Sequence, residues 1–105
     1  MSGIKDWKLK LRYGKLTTAY QHYTIIIPVI IEKYIEDFSA QPGTAYAGIK
    51  MWATDTEEAA DIVRWLGEEK GYIVDGNIEI YKSDPEQPPG DSPYAYDVNF
   101  TYYKK

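Results

Sequence analysis

The sequence predicts an α+β domain: an antiparallel sheet of four to five strands with one main helix, at about residues 56–70, packed on one face. Three observations carry this. From Tyr94 to Tyr102, large apolar and aromatic residues fill every second position, the period of a strand. Thr54-Asp55-Thr56-Glu57-Glu58 holds two overlapping capping boxes ahead of an apolar stripe at helical spacing. Finally, Ser83–Pro93 carries four prolines in eleven residues, which breaks the chain between two extended runs. The predicted order is β-β-(short α or β)-β-α-β-β, within a single domain over residues 1–105.

Taken in order, Trp7, Leu9, Leu11 and Tyr13 alternate with Asp6, Lys8, Lys10 and Arg12, the pattern of a half-buried strand. Gly14-Lys15 reads as a turn, and a second extended run follows from about Thr18 to Ile27. Residues 28–39 read two ways. Pro28 can open a helix that aligns Ile31, Ile35 and Phe38, or the β-branched residues continue the strand. Tyr46 to Ala53 predicts a strand with Ala47, Ile49, Met51 and Ala53 on one face and Tyr46, Gly48, Lys50 and Trp52 on the other. The helix stripe is Ala59, Ile62, Val63 and Leu66, with Trp65 at its border and Gly71 as the left-handed cap. Tyr72 to Lys82 follows as a strand bent near Asp75-Gly76. The Tyr94–Tyr102 row, matched with the Trp7–Tyr13 and Ile49–Ala53 rows, is expected to form the aromatic wall of the core.

The chain has 105 residues, no cysteine and a formal net charge of −4. Without cysteine there are no disulfides, thiolate metal sites or thiol nucleophiles, as suits a reducing compartment. No apolar run is long enough for a signal peptide or a membrane span, so a cytoplasmic protein is expected. Five basic residues (Lys5, Lys8, Lys10, Arg12 and Lys15) face the single acid Asp6 in the first sixteen positions. Seven basic and fifteen acidic residues make up the charge of the remainder. That acidic surface disfavours nucleic acid and steers basic partners towards the protein.

His22 is the only histidine, so a catalytic triad cannot be assembled from spacing and two-histidine metal ligation is excluded. It reads as a strand histidine bonded to a tyrosine or to backbone. The acids at the helix start suit the helix dipole, with Asp61 placed to pair with Arg64. Phosphate-binding and nucleophile-elbow motifs are absent. Pro85-Glu86-Gln87-Pro88 has PxxP form but reads as a stiff connection.

Eleven tyrosines are the remaining signal. Tyr13, Tyr96 and Tyr72 or Tyr81 are expected in the core. Tyr23, Tyr46, Trp52 and Tyr103 are expected to emerge on the sheet face that the helix leaves uncovered, where exposed aromatics mark an interface. The sequence therefore predicts a non-enzymatic interaction domain, without cofactor or metal and not membrane-bound. It would resemble the small acidic inhibitor, immunity and adaptor proteins of bacteria and phages, binding a protein partner or a second copy. The alternative is a small-ligand site with an aromatic pocket near His22.

Overall fold

The computed structural model describes residues 6–14 and 16–103. Among these, five antiparallel strands form one sheet with one main helix on one face, the predicted α+β architecture. Two eleven-residue strands, β1 (Gln21–Ile31) and β2 (Gly43–Ala53), pair along their full length at its centre. The short strands β3 (Tyr72–Val74) and β4 (Glu79–Lys82) lie end to end along the free side of β1, and β5 (Tyr94–Tyr102) lines the free side of β2.

Pro28 sits inside the central strand β1, where a proline is ordinarily excluded. Its carbonyl accepts from the Asp75 amide at 2.8 Å, on the β3–β4 side. A strand residue directs its N–H and C=O to the same side, so the missing donor faces the gap between β3 and β4 and costs no ladder bond. The chain turns over this proline at Gly76, where φ is +154° and a Cβ would lie 2.6 Å from the Pro28 ring. Residues 28–39 thus resolve both readings in part. The strand continues to Ile31, and a single 3-10 turn, Glu36–Phe38, follows, closed by an Ile35–Ala40 bridge.

The main helix, α2 (Thr56–Lys70), begins and ends where its caps require. Asp55 accepts from the Glu58 amide at 2.9 Å while the Glu58 carboxylate takes the Thr54 amide at 2.7 Å, so the second of the two overlapping boxes is the one used. Gly71, at φ +118°, supplies the left-handed cap. Ala59, Val63, Leu66 and Gly67 are the buried residues of the helix. Facing them are Ile25, Ile27, Val29 and Ile31 of β1 and Ala45, Ala47, Ile49 and Met51 of β2, all essentially inaccessible. Gly67 allows Tyr72 to close against the helix, since a Cβ there would lie 2.7 Å from the ring. The Tyr72 hydroxyl donates to the Val63 carbonyl at 2.5 Å, and burial raises its pKa.

Two local expectations are corrected. Asp6–Arg12 is a short helix, α1, rather than a strand. A helix of this length leaves Leu9 and Tyr13 exposed, while Leu11 turns towards the His22 end of the sheet. Lys10 and Arg12 fall in its last turn, where the helix dipole favours cations. Tyr13 is therefore not a core residue, and neither is Tyr81, which is half exposed.

The second correction concerns β5. The unbroken alternation from Tyr94 to Tyr102 predicts one row on one face, but a β-bulge splits it. Asp97 adopts φ +53°, and the register against β2 slips between Gly48 and Lys50. Phe100 and Tyr102 consequently pair opposite Ala47 and Ala45 on the helix side, whereas Tyr94 and Tyr96 pair opposite Trp52 and Lys50 on the far side. The Asp97 carboxylate is held by Lys50 at 2.9 Å.

Candidate functional site

The sheet face away from α2 is where the uncovered aromatics gather, and topology divides it in two. β4 lies on one edge of the sheet and β5 on the other, so the chain between them must cross both β1 and β2. Three inter-strand spacings amount to about 15 Å. Residues 83–93 make that crossing, and because α2 fills the other face they pass on this one. The Pro-rich segment is thus a strap across one end of the open face.

The polar groups of the sheet beneath the strap are paired with it. The Trp52 indole donates to the Gln87 carbonyl at 2.8 Å, the Tyr94 hydroxyl to the Pro88 carbonyl and the Tyr20 hydroxyl to the Asp91 carbonyl. The Tyr96 hydroxyl accepts from the amides of Glu86 at 2.8 Å and Gln87 at 3.2 Å. It also meets His22 Nε2 at 2.6 Å, and His22 Nδ1 lies 3.0 Å from the Ser83 carbonyl. A carbonyl can only accept, so Nδ1 carries the proton and Nε2 accepts from Tyr96. Desolvation lowers the His22 pKa, which favours this neutral form. His22, Trp52, Tyr94 and Tyr96 pack with ring centroids 5.1 to 5.7 Å apart.

Among the described residues, the strap leaves the other end of the face uncovered. Tyr46, 46% exposed, stacks on Tyr103 at 4.6 Å near the β5 edge. Ile73, about half exposed, lies towards the opposite edge, with Ile26, Pro28 and Ile30 half-buried between it and Tyr46, while Tyr81, also half exposed, lies opposite Thr24 nearer the strapped end.

Of the predicted site residues, Tyr46 and Tyr103 come together on the uncovered face, Tyr46 exposed and Tyr103 half-buried. Trp52 and His22 lie on that face too, but the strap buries them to 3% and 6% exposure. Tyr23 does not reach it. It shares the strand parity of Ile25 and Ile27 and is buried on the helix side. Sequence reasoning missed Ile73 as part of the bare region; its pairing with Ile30 places it there.

Two clefts border the strapped end. One, of about 360 Å³, is lined by residues that include Leu11, Leu16, Tyr20, His22 and Trp52. The other, of about 310 Å³, lies between α1 and the strap, with Lys8, Leu11, Arg12, Asp84 and Pro85 around it. Among the described residues, no three His, Asp or Glu side chains converge as metal ligands, and no helix is long and apolar enough to cross a membrane.

Comparison with known proteins gives a partial similarity. The chain is 29% identical over 77 residues, 73% of its length, to a subunit of eukaryotic translation initiation factor 3 from Mycosarcoma maydis. It spans only 8% of that protein's length. No family model and no solved structure matches.

Proposed function

We propose that this chain is a non-enzymatic interaction domain that binds a protein partner, or a second copy of itself, through the bare half of its open sheet face. The observation that carries this reading is the Tyr46–Tyr103 stack, with Tyr46 46% exposed and Tyr103 half-buried, on the part of the sheet face that the strap does not cross. Tyrosines held rigid by stacking lose little entropy on binding, and flanking isoleucines supply the apolar area of an interface centre. The acidic surface adds attraction for a basic partner. The partial similarity to a protein named as one part of a larger factor is in keeping with an assembly role. The site of action would be the cytoplasm, whose reducing conditions suit a cysteine-free chain.

A small-ligand site is the second reading, and the cleft beside His22 and Trp52 favours it. Both ring nitrogens of His22 are already engaged within the protein, however, so the imidazole offers a ligand no free polar atom.

The test is co-purification from a native lysate together with light scattering, on the parent protein and on Tyr46→Ala and Tyr103→Ala. The parent should retain a partner or run as a dimer, and both variants should lose that association at least about tenfold. Equal association by the parent and both variants would remove the bare face from the account. A parent that is monomeric and captures nothing would leave the cleft reading in front.

A further inference from the structure

The strap is held by a hydrogen-bond arrangement with no spare capacity. In the neutral state, His22 Nδ1–H donates to Ser83, Tyr96 Oη–H donates to Nε2, and the two Oη lone pairs take the Glu86 and Gln87 amides. At Tyr96, each donor has one acceptor. A proton added at Nε2 makes that nitrogen a donor and points it at the Tyr96 oxygen. Three N–H groups then compete for two lone pairs, and among the described residues the hydroxyl loses Nε2, the acceptor its proton had, where Tyr96 is only 9% exposed. At least one strap amide loses its partner in this part-buried contact, and a donor left unpaired away from water is costly. Water reaches it when the strap lifts.

We propose that residues 83–93 form a proton-released cover: protonation of His22 breaks the anchorage of Glu86 and Gln87 on Tyr96, and the strap beyond Ser83, left with its Trp52, Tyr94 and Tyr20 bonds alone, lifts to expose Trp52, Tyr94 and Tyr96. These rings lie on the same face as Tyr46 and Tyr103, so release extends the aromatic surface offered to a partner. The release follows from the strap's own bonds and stands whether or not the bare face binds anything.

The charges around the imidazole divide in sign. Lys50 on β2 opposes its protonation, and Asp84 and Glu86 on the strap favour it. Lys50 is itself paired with Asp97 of β5. From α1, Lys8 and Arg12 line the same cleft as Asp84. Ser83 Oγ, 3.1 Å from Nδ1 and 2.7 Å from Thr24 Oγ1, stays with the Nδ1 side of the ring in either state. The change is therefore confined to the Nε2–Tyr96 contact, where the strap amides converge.

The deciding experiment is NMR on the full chain as pH falls below the ordinary histidine value of about 6.5. His22 ring shifts are followed beside hydrogen-exchange protection of the Glu86 and Gln87 amides and the Trp52 indole N–H, each corrected for the intrinsic pH dependence of exchange. Protection at these three sites should fall at least about tenfold with the midpoint of His22, since one pH unit below a pKa protonates about nine tenths of the group. The Ile25 and Ile49 amides should stay protected. His22→Gln should give a flat strap profile. A His22 that titrates while strap protection holds, or a strap that opens with the same midpoint in His22→Gln, would overturn the proposal. Should that variant fail to fold, coincidence of the two midpoints in the parent protein decides alone.

Discussion

Trp52 and Tyr46 lie six residues apart on one strand and point to the same face of the sheet, yet Trp52 is 3% exposed and Tyr46 46%. Residue type does not explain the difference, since both are amphipathic aromatics. What separates them is the connection between β4 and β5. It crosses the sheet at the level of His22 and Trp52 and leaves the level of Tyr46 open. Where the connection passes, each aromatic spends its polar atom on the strap's backbone. Beyond it, Tyr46 and Tyr103 stack on each other. One face therefore contains a finished piece of core and an unfinished one.

Truncation should separate the two most sharply. Trp52→Ala should destabilise the protein by about 3–5 kcal/mol, the range for emptying a buried large aromatic site. Tyr46→Ala should cost no more than about 1 kcal/mol, mostly the stacking with Tyr103. Urea denaturation of the two variants checks both numbers. Comparable losses would mean that the bare end is packed as tightly as the strapped end.

How far this contrast can be read in the sequence depends on the kind of signal. The alternation of β2 puts Tyr46, Lys50 and Trp52 on one face, and the structure has them there. The capping residues Asp55, Glu58 and Gly71 act locally, so the main helix is legible almost to the residue. Non-local events leave no such trace. Periodicity cannot reveal that Asp97 enters the left-handed region and inverts the parity of β5, because the alternation of residue types runs on unbroken through the bulge. An Asp followed two residues later by Asn, both tolerant of that conformation, is the faint hint available. For α1, alternation over seven residues fits a strand as well as it fits a helix that leaves Leu9 and Tyr13 in water. In β1, Ile25-Ile26-Ile27 is apolar on both faces, so composition alone does not say that Tyr23 turns inward. The strap's course follows from strand order, which only the assembled sheet defines.

A smaller effect sharpens the comparison at single atoms. Tyr96→Phe removes the oxygen that holds two strap amides and His22, leaving the buried imidazole nitrogen and two part-buried amides unpaired, and should cost about 1–3 kcal/mol. Tyr103→Phe should be neutral within about 0.5 kcal/mol, as for surface changes that break no buried bond. The same variants measured by hydrogen exchange should show loss of protection at Glu86 and Gln87 in Tyr96→Phe only. An equal response in both would place the hydroxyls, rather than the strap, at the root of the difference.

The smallest expected effect is the pH dependence that the strapped end has and the bare end lacks. Burial lowers the pKa of His22 in the folded protein, while the unfolded chain keeps the ordinary value of 6.5. Below 6.5 the unfolded state therefore binds the proton more readily than the folded state, and stability rises with pH wherever that holds. The contribution of His22 should be complete above pH 6.5. It should decline as pH falls from there towards the lower folded-state pKa, and stay lost below it. Urea melts at a series of pH values should show this slope in the parent and in Tyr46→Ala, and its absence in His22→Gln. A slope surviving in His22→Gln would assign it to the carboxylates, and the strapped end would then differ from the bare end in packing alone.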